Sequence, residues 1–288
     1  MGGFPDSFSF GIADAIDAAV RFLANNLSWL FDAIVKVLSA MLNAAEWVLF
    51  FIPWWAILLL IAVGGYLATK KIVPSIIYGA MFFVIGLFGY WELMVYTLSI
   101  VLVAVLLSLL VGLPYGILMS ENEQVRKSSI MILDAMQTMP SWVYLIPAVS
   151  FFGMGRVPAV LATMIYALPP VVRLTCHAIL EVDRETVEAA QAFGSTKFQA
   201  LFQVKIPQAA ATIMAGINQT TMMAVAMVVT ASMIGARSLG TEVLLAINRL
   251  EVGRGFEAGI SIVFIAIVID RISQGAAKSF QKKSGREG

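Results

Sequence analysis

Long apolar runs follow one another along this chain so closely that little remains between them. A helix that crosses the hydrocarbon core of a bilayer needs about 20 mainly apolar residues. Runs of that kind are read at 47–68, 72–90, 93–119, 135–153, 157–180, 208–236 and 256–274. Backbone N–H and C=O groups cannot stay unpaired in hydrocarbon, so each run is read as a helix. The expected fold class is an all-α integral membrane protein with about seven transmembrane helices. Composition agrees, with 60% hydrophobic and 13% charged residues and a mean hydropathy of +0.87. Soluble domains carry roughly 45–50% apolar and 25% charged residues. The polar breaks are too short to hold a soluble domain.

Positive charge sets the expected orientation, because Lys and Arg in short loops favour the cytoplasmic side. With the amino end outside, 13 of the 19 Lys and Arg fall inside, among them Lys70, Lys71, Arg126, Lys127, Arg184, Lys197 and Lys205. The outside holds Arg21, Lys36, Arg156, Arg237, Arg249 and Arg254. This places the 181–207 connection and the basic 276–288 tail in the cytoplasm, in a multi-pass protein.

Residues 1–46 have a different character. Ile16, Val20, Leu23, Leu27, Leu30, Ile34, Leu38 and Met41 recur at spacings of three and four, with Asp14, Asp17, Arg21, Asn25 and Asp32 opposite. That period predicts an amphipathic helix, lying on the outer membrane surface or packed against the bundle. It lacks the basic start and small-residue cleavage site of a secretory signal, so retention is expected. A scaffold segment at 1–46, peripheral helices at 47–90 and a core at 91–275 are the expected divisions.

Little in the chain suggests covalent chemistry. A lone Cys176 excludes an intramolecular disulfide, and His177 has no second ligand nearby, so no metal site is expected. No span carries a nucleophile beside a base, which argues against an enzyme. There is no Gly-x-x-x-x-Gly-Lys-Ser/Thr phosphate loop, so this chain is expected to bind no cofactor, ATP included. No nucleic-acid partner is expected; membrane lipid is. Energy for any transport must come from another subunit or from an ion gradient. Ion-coupled transporters place titratable groups deep in their spans. Here Glu92, Asp134, Arg173, Asp270 and Arg271 are read near span ends, which leans away from ion coupling.

Between two apolar segments lies the polar stretch Glu188-Ala189-Ala190-Gln191-Ala192-Phe193-Gly194, followed by Val204-Lys205-Ile206-Pro207. Glu188, Ala189 and Ala190 are good helix formers, Glu185 and Glu188 share a face, and Gly194 is a C-terminal stop. A short exposed helix is predicted, with Gly194 in a packed joint and Pro207 where the chain re-enters the membrane. This pattern resembles the EAA loop of ABC importer permeases, with mild departures at Val204 and Ile206. The resemblance implies that Glu185, Glu188, Ala189, Ala190, Gly194 and Pro207 couple the chain to an ATPase.

The resemblance narrows through Gln137-Thr138-Met139-Pro140-Ser141-Trp142-Val143-Tyr144, Phe152-Gly153-Met154-Gly155 and Ile165-Tyr166-Ala167-Leu168-Pro169-Pro170. It continues through Leu239-Gly240, Glu242-Val243-Leu244 and Gly255-Phe256-Glu257-Ala258-Gly259. These segments look like permeases of the glycine betaine, proline betaine and choline importers, over residues 90–275. Gly235-Ala236-Arg237-Ser238 departs from the glycine-rich turn expected there. The resemblance implies the type I ABC importer permease fold and alternating access driven by a partner's ATP cycle. It also implies the plasma (inner) membrane, a second copy of this chain, two ATPase subunits carrying ATP and Mg, and a periplasmic or extracellular substrate-binding protein.

Pro140, Pro147, Pro169 and Pro170 are expected to interrupt helices of the central spans. Trp142, Tyr144 and Tyr166 offer ring faces that attract a quaternary ammonium by cation–π interaction. They fit interfacial anchoring equally well. Asn218-Gln219-Thr220-Thr221 is read as lining a translocation path or as interhelical hydrogen bonding. An ion-coupled transporter or channel for organic cations is the alternative, and a membrane scaffold or sensor without transport is a further one.

Overall fold

The computed structural model describes residues 12–284, with side-chain surroundings through Gly275. Residues 1–11, and the side chains of the basic tail at 276–288, lie outside that description. The chain runs through α1 (Ile12–Asn26), α2 (Ser28–Phe51), α3 (Trp54–Thr69), α4 (Ile72–Leu87), α5 (Trp91–Glu121) and α6 (Glu123–Thr138). A 3₁₀ turn, Ser141–Tyr144, leads into α7 (Leu145–Phe152) and α8 (Arg156–Leu180). Then come α9 (Arg184–Ala192), α10 (Lys197–Ala200), a π-helical turn Leu201–Lys205, α11 (Ile206–Ala231), α12 (Leu239–Arg249) and α13 (Val252–Ser284). Among the described residues there is no strand.

At the centre, α8 packs along α5 on one side and α11 on the other. Ile100, Val101 and Ala104 of α5 meet Ala159, Val160 and Ala167 of α8 and Ala224, Val225 and Val228 of α11 in one buried cluster. Small residues let the backbones approach, since lipid supplies no hydrophobic drive and packing must hold the helices together. Gly112 and Gly116, four apart on α5, mark the closest approach. A Cβ on Gly112 would lie 2.5 Å from Val171 Cγ1, and one on Gly116 would lie 2.7 Å from the Val172 carbonyl oxygen. The α3–α4 hairpin and α12 pack on α13. There Tyr78, Phe82 and Ile85 interlock with Met94, Val95, Ile265 and Val268.

Among the described residues, five helical stretches are long and apolar enough to cross a membrane: Ser28–Phe51, Trp91–Glu121, Arg156–Leu180, Lys197–Ile234 and Val252–Gly275. Trp54–Thr69, Ile72–Leu87 and Ser141–Phe152 are shorter apolar helices. The sequence expectation differs here in two places. The first helix break near the expected 46/47 boundary falls instead at Ile52-Pro53, so residues 47–51 belong to α2. Proline pushes the preceding residue out of the helical region, and Ile52 is extended at φ −77°, ψ 122°. The expected 135–153 span divides for the same reason: α6 ends at Thr138, Met139 is extended, and Pro140 precedes the 3₁₀ turn.

Pro169 and Pro170 do not interrupt α8, which is continuous through both. Each lacks the N–H that would bond the Ile165 or Tyr166 carbonyl, and one residue earlier the Met164 carbonyl accepts from the Ser108 hydroxyl of α5 at 3.0 Å. Pro147 sits in the first turn of α7, where a missing N–H is tolerated. The amino-terminal helices are tied to the bundle through α2. Leu38 and Leu42 are buried, Phe31 stacks on Phe151 with centroids 4.9 Å apart, and Arg156 donates to the Glu46 carboxylate. By contrast, α1 buries no residue.

Candidate functional site: the α8–α11 connection

Local chemistry builds this connection. The Asp183 carboxylate accepts from the Glu185 N–H at 3.1 Å, capping a helix start whose first N–H groups have no partner. The nine-residue α9 that follows has no buried side chain. Glu185, Glu188 and Ala189 are exposed and Ala190 is partly covered. The helix closes at Gly194, whose φ of +91° suits glycine. Its N–H donates to the Gln191 carbonyl at 2.9 Å, and Ser195 N–H donates to the Ala190 carbonyl at 3.1 Å. These bonds satisfy carbonyls that the helix end leaves free. No atom lies within 4 Å of where a Gly194 Cβ would stand, so the expected packed joint is absent within this chain.

Beyond Gly194 the chain is anchored. Thr196 and Gln199 form a reciprocal capping box at 2.9 and 3.3 Å. Ala200 and Leu201 are buried against Ala178 and Ile179 of α8 and Ala209 of α11. The Lys205 ammonium donates to Glu121 at the end of α5, at 2.8 Å. Pro207 occupies the opening turn of α11, directly after the π-helical turn Leu201–Lys205. Thus α9 stands clear of the bundle between an Asp183 cap and a glycine corner, while residues 200–207 are fastened to three core helices.

Sequence reasoning passed over the aromatic side of this connection. Phe193 is 93% exposed, and the rings of Phe198 and Phe202 lie 4.5 Å apart with both side chains largely exposed. Their signal was the four-residue spacing of Phe198 and Phe202 on a polar segment.

The residues read as a translocation lining separate in the structure. Tyr144 and Tyr166 meet edge to face, with centroids 5.7 Å apart. Tyr144 is buried and its hydroxyl donates to the Met136 carbonyl. Trp142 points away into an exposed position. The polar tetrad fans around α11, because successive helical residues turn by about 100°. Asn218 faces α13, donating to Asp270 at 2.8 Å and accepting from Ser273 at 3.0 Å. Gln219 is exposed, Thr220 is fully buried, and Thr221 donates to the Ile217 carbonyl at 2.8 Å. The Thr163, Thr175 and Thr220 hydroxyls have no protein partner.

Charged residues of the central helices meet polar partners near the ends of their apolar stretches. Asp270 lies near the end of the apolar Val252–Gly275 stretch, as read from the sequence, although α13 itself continues to Ser284. Its partly buried carboxylate accepts from both Asn218 and Gln274 at 2.8 Å. Arg173 donates to Asp134, joining α8 to α6. Among the described residues no group of three or more His, Cys, Asp and Glu gathers as a metal site would require.

Comparison with known proteins gives this arrangement a family. Residues 104–284 match the binding-protein-dependent transport system inner membrane component family. The chain is 46% identical over 266 residues to the glycine betaine transport system permease protein OpuAB of Bacillus subtilis, covering 91% of this chain and 93% of that protein. It is 42% identical over 289 residues to the glycine betaine/carnitine transport permease protein GbuB of Listeria monocytogenes, covering 98% and 100%. Its fold is similar to a chain of the MetNI methionine ABC transporter in an inward facing conformation, with a TM-score of 0.58 at 19% identity, covering 64% of this chain and 93% of that one. The match over residues 104–284 covers more than half of the chain, which belongs to the family of binding-protein-dependent transport system inner membrane components.

Proposed function

We propose that this chain is the membrane permease of an ATP-driven importer of quaternary ammonium osmolytes, of the glycine betaine, proline betaine and choline class. It works by alternating access and hydrolyses nothing itself. The observation that carries this reading is α9: a helix with no buried residue, held between two core helices by a glycine corner and a fastened 200–207 segment. Such an element suits reception of force from another protein. The family supplies the kind of partner, and the names of OpuAB and GbuB support the ligand class.

In this mechanism two copies of the permease stand on two ATPase subunits, which hold ATP and Mg, and an external binding protein delivers the ligand. Glu185, Glu188, Ala189, Ala190 and Gly194 sit in a groove of the ATPase and move as its nucleotide sandwich closes. Ala200 and Leu201 pass that displacement to α8, Lys205 passes it to α5, and Pro207 passes it to α11. Rigid-body rocking of these three helices opens the bundle to one side or the other. The amino terminus is outside and the α9 connection is cytoplasmic, as the Lys and Arg distribution favours.

The test is uptake of labelled glycine betaine and choline into vesicles holding this chain with its ATPase and binding protein, with and without internal ATP. Uptake that needs all three proteins and ATP supports the reading. Uptake that follows an ion gradient and ignores ATP replaces it with secondary transport.

A further inference from the structure

Arg237, the residue that departs from the expected glycine-rich turn, has a structural place that the coupling mechanism leaves unused. It precedes α12 and reaches across to the start of α5, donating to Glu92 at 3.2 Å, with its guanidinium carbon 4.8 Å from the Tyr96 ring centre. Beside it opens a cleft of about 660 Å³ whose walls include Tyr90, Trp91, Glu92, Arg237, Glu242 and Arg254. Small-molecule sites usually measure roughly 300–1,000 Å³. The cleft lies at the opposite end of α5 from Glu121 and the α9 connection, roughly 45 Å away along a 31-residue helix.

The wall is built rather than incidental. Arg254 donates to Glu242 at 2.6 Å and to Glu251 at 3.2 Å, which fixes one guanidinium in place. Glu242 is nearly buried, with 14% of its side chain exposed. Arg237 donates to Glu92 from one terminal nitrogen, leaving further N–H donors of its planar fork for a ligand. Two guanidinium groups and two carboxylates line the cleft, so its charges balance. A ligand of either single sign would upset that balance; one carrying both signs would preserve it.

We infer that this cleft is a receiving site for a zwitterionic quaternary amine. The ligand carboxylate accepts from Arg237, a geometry that a guanidinium satisfies with two parallel bonds. The methylated ammonium lies against the ring faces of Tyr90 and Trp91, where cation–π attraction holds a charge that has no hydrogen to donate. The ligand class rests on the importer reading, and the location at the end far from α9 is where that reading places ligand delivery.

The test is binding of glycine betaine and of choline, measured separately, to the full-length permease assembled with its ATPase in vesicles without the binding protein. Choline keeps the methylated ammonium and lacks the carboxylate. The wild-type complex is expected to bind glycine betaine about tenfold more tightly than choline, the scale of a charge-assisted hydrogen bond. Arg237→Gln should abolish or reverse that difference, weakening glycine betaine and favouring choline, because Glu92 is then left without its cation. Trp91→Leu should weaken both ligands and Trp91→Phe should retain both. Absence of glycine betaine binding to the wild type, an undiminished preference in Arg237→Gln, or equal loss of both ligands in that variant overturns the site. ATP-driven uptake by the complete complex, followed in parallel, separates the two readings: uptake without binding here removes the site alone, and loss of uptake removes the importer.

Discussion

Lys205 and Glu121 form an ion pair at 2.8 Å between the π-helical turn that leads into α11 and the last residue of α5. The two residues are 84 positions apart, and their contact joins the re-entry of the coupling segment to the end of a central helix. Both side chains are partly exposed, so the pair is worth about 0.5–1 kcal/mol. Removing it loosens one of three fastenings of residues 200–207.

Glu121→Gln and Lys205→Gln should each lower ATP-driven uptake by about two- to fivefold, the kinetic counterpart of that coupling energy. The charge-swapped pair, Glu121→Lys with Lys205→Glu, should recover part of the loss. A double-mutant cycle on uptake rate checks this. Strict additivity of the two single variants would remove the pair from the transmission path.

Gly194→Asp should insert and assemble yet transport poorly. No neighbour blocks the new side chain within this chain, so the cost comes from the left-handed backbone at φ +91° and from charge at an interface. An L-residue in that region costs about 1–2 kcal/mol, and Asn tolerates it better than most. The expected order of uptake is Gly194, then Asn, then Ala, then Asp, with equal membrane levels on immunoblots. Normal uptake by the Asp variant, or disappearance of the protein, counts against a coupling role.

Asn218→Leu should lower thermal stability. It deprives Asp270 of a donor and Ser273 of an acceptor in the packed α11–α13 interface. Leaving such a group short of a partner costs about 1–3 kcal/mol. The apparent midpoint of thermal unfolding in detergent, compared at one scan rate, measures the effect. Gln219→Leu on the exposed side of the same helix should move the midpoint little.

Gly116→Ala should be felt although only a methyl group is added. That methyl would meet the Val172 carbonyl oxygen at 2.7 Å and Thr175 Cβ at 2.8 Å, so α5 and α8 must separate. Overpacking of this kind costs about 1–3 kcal/mol. Gly116→Leu should cost more, and Gly79→Ala, where the nearest atom is 3.7 Å away, should be mild. The same unfolding measurement ranks the three.

The membrane class, the helical character and the exposed α9 helix were legible from local signals. Apolar runs compel backbone bonding within each segment, and Asp183, Gly194 and Pro207 punctuate the connection through bonds made by near neighbours. The family resemblance was legible for the same reason, because its motif is contiguous. Helix limits were less so: hydropathy continues across Ile52-Pro53 and Thr138-Met139-Pro140, where proline geometry ends the helix despite an apolar run.

Partners across the bundle depended on the packed fold. Arg237 reaches Glu92 across 145 residues, Arg156 reaches Glu46 across 110, and Asn218 reaches Asp270 across 52. No local pattern encodes those meetings, since each depends on which distant helices, such as α2 and α8 or α11 and α13, approach in the packed bundle. The tetrad Asn218–Thr221 looked like one polar cluster in line, and helical rotation gives its members different surroundings. Local bonding decides what a segment becomes; close approach of distant helices decides which of its side chains ever meet.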